Sequence, residues 1–171
     1  MGLVQALDYR IPDPNAAQRA MWHVSASPPG AWVFSKVLHR MDGVLLRRTE
    51  GRFSVSEILA GIPIVTIITT GARTGQRRET SLLGVPVEDD LAVIGTQFGQ
   101  PGTPGWYYNL RAQPMMELAY RATMVPARAR EAEGEEWSAI WARARQMYGG
   151  YDAYARRIND RRIHIIVLSE R

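Results

Sequence analysis

Cysteine is absent from this chain of 171 residues. Its absence excludes disulfides, thiolate zinc sites, cysteine nucleophiles and CxxC redox chemistry, so any redox function must use a bound cofactor. Histidine is scarce as well: His23, His39 and His164 lie far apart and form no HxxxH or HExxH pattern. We therefore predict that the protein has no metal site.

Long apolar runs and the common nucleotide motifs are also missing. The longest β-rich apolar run, "IPIVTIITT", has nine residues, well below the roughly 20 that a membrane-spanning helix needs. Asp8 and Arg10 interrupt the N-terminal segment, which does not resemble a signal peptide, so we expect a cytoplasmic protein. Without GxGxxG, P-loop or GxSxG motifs, the usual dinucleotide, NTPase and hydrolase interpretations have no local support.

Lysine is rare, and nearly all of the positive charge is arginine. Lys and Arg together number 21 against 17 acidic residues, for a net charge of +4. Because arginine contacts carboxylate and phosphate bidentately, an anionic small molecule or an anionic membrane surface is a candidate partner, beside ordinary solubilising charge. The arginines are scattered and interleave poorly with the aromatic residues, so we expect no nucleic acid partner.

Apolar spacing predicts helices in the first third of the chain and mainly strands after it. Residues 13–24 and 31–48 have helical spacing, and the second segment is a basic amphipathic helix that either packs on its own domain or contacts a membrane. Strands are predicted over 62–70, 79–88, 91–98, 115–121, 123–131 and 163–168. Two further helices are predicted over 106–113 and 134–157, the second broken or bent at Gly149 and Gly150. About six antiparallel strands with helical covers indicate an α+β fold, a small barrel or curled sheet.

The turn in "TTGARTGQRRE" is a candidate anion site. Gly71 and Gly75 permit positive φ and close backbone approach, and consecutive amides in such a turn form an anion-accepting concavity. Arg73, Arg77 and Arg78 add charge, but strand side chains alternate, so only one of the last two is expected to reach the same ligand as Arg73. A solvated hairpin turn is the alternative.

Aromatic residues form two further candidates. Tyr148, Tyr151 and Tyr154 are spaced at threes, so their phenols either line one wall of a pocket or pack as half-buried core aromatics. In "PGWYYNL", Trp106 and Asn109 have helical spacing, and Trp106 is either a ligand platform or a core anchor.

Together these segments resemble the deazaflavin-dependent nitroreductase family of split-barrel enzymes that use reduced coenzyme F420. The resemblance covers roughly residues 51–168 and rests on "GIPIVTIITTGARTGQRRETSLL", "VIGTQFGQPGTPGWYYNLRAQP", "MYGGYDAY" and "RRIHIIVL". It implies an FMN-binding split-barrel-like domain over residues 51–171, with residues 1–50 forming a helical extension packed on or covering the barrel.

The resemblance also implies residue roles. It assigns the anionic cofactor tail to Arg73, Thr74, Gly75 and Arg78. It assigns the ring side of the groove to Ser81, Leu82 and Leu83, and the rest of the cofactor pocket to Thr96, Gln97, Trp106 and Asn109. The tyrosines Tyr148, Tyr151 and Tyr154 match positions that face the substrate. Relative to the family, basic residues are missing at Ala72 and Gln97, and Arg77 or Arg111 is a candidate to compensate.

The expected reaction is hydride transfer from the reduced deazaflavin to a quinone, an enone or a nitroaromatic compound. One of the three tyrosines, or Thr96, would donate the balancing proton, directly or through water. Two alternatives remain: a cofactor-binding or lipid-binding barrel without efficient catalysis, and a related split barrel that uses FMN or haem.

Overall fold

The computed structural model describes residues 2–11, 13, 15–27, 29–30, 61–158 and 161–171. Within these described ranges, helices α1 (Leu3–Ala6) and α2 (Ala16–Ala26) precede the sheet. The amphipathic helix predicted over 31–48 and the domain boundary predicted at residue 50 both lie outside the described residues. Among the described helices, none combines the length and hydropathy required to cross a bilayer.

Seven strands form one antiparallel sheet: β1 (Ile64–Thr70), β2 (Arg77–Leu83), β3 (Val85–Val87), β4 (Asp90–Ile94), β5 (Met115–Tyr120), β6 (Thr123–Glu131) and β7 (Ile165–Glu170). Their order is β2-β1-β5-β6-β7-β4-β3. The predicted strand 79–88 is therefore two strands, which raises the expected six to seven. Gly84 causes the interruption: Tyr9 donates a hydrogen bond of 2.5 Å to its carbonyl, and a Cβ there would lie 2.7 Å from the Tyr9 hydroxyl.

The connection between β2 and β3 requires the sheet to close. These strands are the two edges of the sheet, yet only Gly84 separates them in sequence. Seven flat strands would span roughly 29 Å at about 4.8 Å per neighbour, whereas one residue advances the chain only about 3.8 Å. The sheet must therefore curl until its edges meet, and since β2 and β3 do not pair with each other the barrel is split there. The predicted antiparallel split barrel is confirmed.

Strands β4 and β7 are buried on both faces over most of their length. In β7, Ile166 and Leu168 point into the barrel interior, while Ile165 and Val167 point to a second apolar cluster. That second cluster contains buried side chains from the helices that follow β6. Burial on both faces explains why these strands are continuous apolar runs instead of alternating ones.

The first residues of the chain belong to the barrel core. Leu3, Leu7 and Tyr9 are buried in the interior cluster. The ring of Tyr9 lies 4.8 Å from that of Tyr120, whose hydroxyl donates to the carbonyl of Arg10 at 3.3 Å. This segment therefore fills the barrel and does not merely lie on its surface.

Three helices complete the fold: α3 (Gly105–Ala112), α4 (Gly134–Met147) and α5 (Gly150–Arg157). The predicted break at Gly149 and Gly150 is confirmed, and a side chain at Gly150 would overlap the Tyr148 ring.

The predicted strand 91–98 is wrong beyond Ile94, because residues 97–99 form a short 3-10 turn with positive φ throughout. Helix α2 lies against α5, where the Trp22 ring is 5.7 Å from the ring of Tyr148.

Candidate functional site

A cavity of about 1060 Å³ lies beside the split of the barrel. Its walls come from the β1–β2 turn, strand β2, the loop after β4, the start of α3, and the α4–α5 junction. Every residue predicted for the site except Gly75 lines it: Arg73, Thr74, Arg78, Ser81, Leu82, Leu83, Thr96, Gln97, Trp106, Asn109, Tyr148, Tyr151 and Tyr154. The fold thus brings them together, and their individual roles stay predictions. No group of three carboxylate or histidine side chains suited to a metal occurs in the described part of the chain.

The β1–β2 turn does not offer the amide concavity expected from its glycines. Gly75 has a φ of 66°, which explains its place in the turn, but it does not line the cavity. Five amides of the turn already donate hydrogen bonds within the protein: those of Gly71, Ala72, Thr74, Gly75 and Gln76. Contact with an anion therefore depends mainly on the exposed side chains of Arg73, Thr74 and Arg78, since the Arg73 amide is the one turn amide that donates to no acceptor in the described residues.

Asn109 holds this turn from a distant helix. Its Oδ1 accepts a hydrogen bond from the Ala72 amide at 2.9 Å, and its Nδ2 donates to the Thr69 hydroxyl at 3.1 Å. One side chain on α3 thereby joins the end of β1 to the turn that follows. Asn109 lines the cavity, but these two bonds make it a support for the turn as well as a ligand candidate.

Only one of the two arginines at the start of β2 reaches the cavity, as strand alternation predicts. Arg78 lines it, whereas Arg77 does not and instead pairs with Glu79 at 3.3 Å and Glu117 at 3.7 Å. Arg111 also lies outside the lining, with its guanidinium 5.8 Å from the centre of the Tyr107 ring. Neither Arg77 nor Arg111 therefore lies in the cavity wall, where charge is missing at Ala72.

Helix α3 is anchored behind the cavity by Tyr107, Glu131 and His164. The Tyr107 hydroxyl donates to Glu131 Oε2 at 3.0 Å, His164 Nδ1 lies 2.7 Å from Glu131 Oε1, and the two rings stack at 3.9 Å. Burial and the Glu131 carboxylate raise the pKa of Tyr107. Burial acts to raise the pKa of Glu131. The hydrogen bonds of its carboxylate with His164 and Tyr107 outweigh burial and hold this pKa below the usual value. With α3 fixed, Trp106 serves as both a core residue and a cavity wall.

The three tyrosines are buried in the cavity wall but differ in their hydrogen bonds. The hydroxyls of Tyr148 and Tyr154 lie 2.9 Å apart and bond to each other. The hydroxyl of Tyr151 has no hydrogen-bond partner among the described residues, although its ring is only 5% exposed. Burial raises the pKa of both Tyr151 and Tyr154, so both phenols are protonated at neutral pH. Tyr151 therefore has the hydroxyl that is open to a ligand.

Several cavity residues were not identified from the sequence. Phe98 and Gln100 belong to the loop after β4, and Tyr108 is 53% exposed at the start of α3. Tyr108 directly follows Trp106 and Tyr107, yet nothing in that spacing distinguishes a cavity residue from a surface residue. Phe98 precedes a glycine, but its left-handed backbone has no sequence signal.

The profile of the F420H(2)-dependent quinone reductase family matches residues 38–170. The chain belongs to this family. The F420H(2)-dependent quinone reductase Rv1261c of Mycobacterium tuberculosis is 30% identical over 137 residues, which cover 78% of this chain and 91% of that protein.

Solved structures agree with the family assignment. An F420-H2 dependent reductase, FDR-A, is 34% identical with a TM-score of 0.57, and the match covers 62% of this chain and 93% of that one. A chain described as a domain-swapped dimer is 30% identical with a TM-score of 0.59, over 82% of this chain and 98% of that one. The resemblance to deazaflavin-dependent oxidoreductases is confirmed at the level of family and fold.

Substitution of Asn109 should loosen the β1–β2 turn. Asn109→Ala removes both of its hydrogen bonds, each worth about 1 kcal/mol, so we expect the Ala72 amide to exchange with solvent about tenfold faster. Asn109→Asp keeps an acceptor for Ala72 but cannot donate to Thr69, and should give an intermediate rate. Amide exchange followed by NMR checks this, with the exposed Gln113→Ala as control; equal rates in Asn109→Ala and the parent chain would contradict the role.

Proposed function

We propose that this chain transfers a hydride from reduced coenzyme F420 to a quinone-type acceptor. One observation carries the proposal: a single cavity combines two exposed arginines with three buried tyrosines, in a chain that belongs to the F420H(2)-dependent quinone reductase family. Arginines suit an anionic chain, and buried phenols suit a planar substrate that needs a proton. Enones and nitroaromatic compounds are further acceptors of the same electrophilic type.

The cavity fits an elongated deazaflavin cofactor. Its volume of about 1060 Å³ lies just above the usual range for small-molecule sites, roughly 300–1,000 Å³, which suits a long cofactor and a second planar molecule. Arg73 and Arg78 would hold the anionic tail. Leu82, Leu83 and Trp106 would form the apolar wall beside the ring. When bound, the reduced deazaflavin supplies two electrons as a hydride.

The protein's own part in the reaction is to orient the acceptor and to deliver a proton. Reduction of a quinone to a quinol consumes one hydride and one proton, and the proton must reach a substrate oxygen. The Tyr151 hydroxyl is protonated at neutral pH and has no partner within the described residues, so we assign it this donor role. The buried Thr96 hydroxyl, which also lines the cavity, is the second candidate. The paired hydroxyls of Tyr148 and Tyr154 hold the wall in which Tyr151 lies.

Removing the Tyr151 hydroxyl should slow turnover. We expect Tyr151→Phe to lower kcat with menadione about tenfold or more, because a positioned proton donor contributes at least this much. Tyr148→Phe should have a smaller effect, since its hydroxyl is already bonded to Tyr154. Steady-state oxidation of the reduced cofactor measures both. If Tyr151→Phe stays within about twofold of the parent chain, the tyrosine only packs.

The two adjacent arginines of β2 provide a matched test of cofactor binding. Arg78→Gln should raise the Kd for F420 about tenfold, because a charge-assisted hydrogen bond contributes about 1.5–3 kcal/mol. Arg77→Gln should stay within about twofold, since Arg77 points away from the cavity. Quenching of cofactor fluorescence gives both constants. Equal losses in the two variants would mean that only overall charge matters.

The same titration separates the alternatives. Tighter binding of FMN than of F420 would replace the proposed cofactor, and F420 binding without oxidation by menadione, an enone or a nitroaromatic compound would indicate a binding protein. Ala72 and Gln97 carry no positive charge, and the basic side chains of the described cavity wall are those of Arg73 and Arg78. Binding of the anionic tail would therefore depend on these two arginines.

A cytoplasmic location, with peripheral membrane contact through residues 31–48, completes the proposal. Its support is the basic amphipathic pattern of that segment, which suits contact with the surface of an anionic bilayer. Truncation is a poor test of membrane contact because Leu3, Leu7 and Tyr9 are part of the barrel core. Sedimentation with anionic vesicles, comparing the full chain with the Arg47→Glu, Arg48→Glu double variant, tests it instead; equal sedimentation would remove the membrane contact.

A further inference from the structure

We propose that Arg161, together with Arg157, is a positioning residue that holds the loop after β4 in the shape that ligand binding requires. We call these two residues the arginine clamp and residues 96–100 the left-handed turn. The identity of the ligand rests on the proposed function, whereas the clamp itself is a property of the protein without ligand. Three observations lead to this inference: backbone conformation, guanidinium contacts and position in the cavity wall.

The left-handed turn has an unfavourable backbone. Gln97, Phe98 and Gly99 have φ values of 48°, 57° and 73° in succession. Glycine adopts such angles freely, but Gln97 and Phe98 have side chains, and consecutive left-handed residues other than glycine are rare because the Cβ crowds the neighbouring carbonyl. Such a conformation persists only when surrounding contacts hold it.

Arg161 supplies contacts at both ends of the turn. Its Nη1 donates to the Gly95 carbonyl at 2.8 Å, and its Nη2 donates to the carbonyls of Thr96 at 3.0 Å and Gln100 at 3.4 Å. One planar guanidinium thus joins the residue before the left-handed stretch to the residue after it. A lysine has the same charge but lacks the planar set of donors, so it cannot reproduce this geometry.

Arg157 holds the middle of the turn and connects it to the tyrosines. Its Nη2 donates to the Phe98 carbonyl at 3.2 Å, and its guanidinium lies 5.3 Å from the centre of the Tyr154 ring. The Phe98 ring meets Tyr154 edge to face at 5.9 Å. At Gly99, which has a φ of 73°, a Cβ would lie 2.8 Å from Arg157 Nε and 3.1 Å from the Tyr154 Cα, so a side chain there would be strained.

The clamp determines what the turn presents to the cavity. Thr96, Gln97, Phe98 and Gln100 line the cavity, and the carbonyl oxygens at 95, 96, 98 and 100 accept hydrogen bonds from the two arginines. The amides of Gln97 and Phe98 donate to no acceptor in the described chain. Because the arginines occupy these carbonyls, the two amides and the Thr96 hydroxyl are backbone and side-chain donors of the turn that remain for an acceptor atom of a ligand.

The ligand-free protein tests the clamp directly. The amides of Gly99 and Gln100 donate to the carbonyls of Thr96 and Gln97, which makes them reporters of the turn. In Arg161→Lys we expect both amides to exchange about tenfold faster than in the parent chain, while Arg156→Lys, an exposed neighbour on α5, leaves them unchanged. Unchanged exchange in Arg161→Lys would overturn the inference. If that variant does not fold, Arg157→Lys takes its place, with the same expected direction.

Glycine rescue separates positioning from general destabilisation. Arg161→Lys should raise the Kd for F420 about tenfold, and Arg156→Lys should stay within about twofold. In a Gln97→Gly background, where residue 97 adopts its positive φ without strain and only Phe98 remains strained, the same arginine change should cost at most about threefold. Equal costs in both backgrounds would mean that Arg161 does not act through the turn. If the parent chain does not bind F420, the proposed function fails, and the exchange experiment still decides whether the clamp exists.

Discussion

The one-residue link at Gly84 is the constraint on which the structure depends. It joins β2 and β3, the two edges of a seven-stranded sheet, and no flat sheet can accommodate it. The sheet therefore curls, and because its edges meet without pairing, the barrel stays split beside β2. The Tyr9 hydroxyl stabilises this point through the Gly84 carbonyl, so the first residues of the chain help to hold the closure. The cavity lies along the resulting groove.

Two loops shape the polar side of that cavity, and each is held by side chains from elsewhere in the fold. Asn109 on α3 accepts a hydrogen bond from the Ala72 amide of the β1–β2 turn. The arginine clamp donates hydrogen bonds to backbone carbonyls of the left-handed turn after β4. Buried or crowded backbone groups must find hydrogen-bond partners. The Ala72 amide of the first turn and the carbonyl oxygens of the second are thus already hydrogen-bonded within the protein. The polar groups of the two turns that lack such bonds are the ones that can contact a ligand.

The three tyrosines of the cavity wall are similarly buried but differ in the hydrogen bonds of their hydroxyls. Tyr148, Tyr151 and Tyr154 are all nearly inaccessible and all line one cavity. The bond between Tyr148 and Tyr154 satisfies two hydroxyls at once and leaves Tyr151 as the one without a partner in the described structure. Desolvation disfavours the phenolate, so burial also keeps the donor protonated. Position in the cluster, more than residue type, decides which phenol suits proton transfer.

Local sequence patterns predicted most of the strands and helices and several of the residues that line the cavity. The β-branched run predicted β1, alternation predicted that Arg78 and Arg77 face different sides, and paired glycines predicted the break between α4 and α5, because each of these depends on neighbours within a few residues. Local pattern does not reveal the hydrogen bonds of the β1–β2 turn amides or the left-handed backbone of Gln97 and Phe98. Nor does it reveal that the Tyr151 hydroxyl has no partner among the described residues. Ala72 meets Asn109 37 residues later, and Thr96 meets Arg161 65 residues later. Such contacts exist only after the barrel closes, so the composition of the site can be inferred from residue spacing, but the allocation of its hydrogen bonds is decided by tertiary packing.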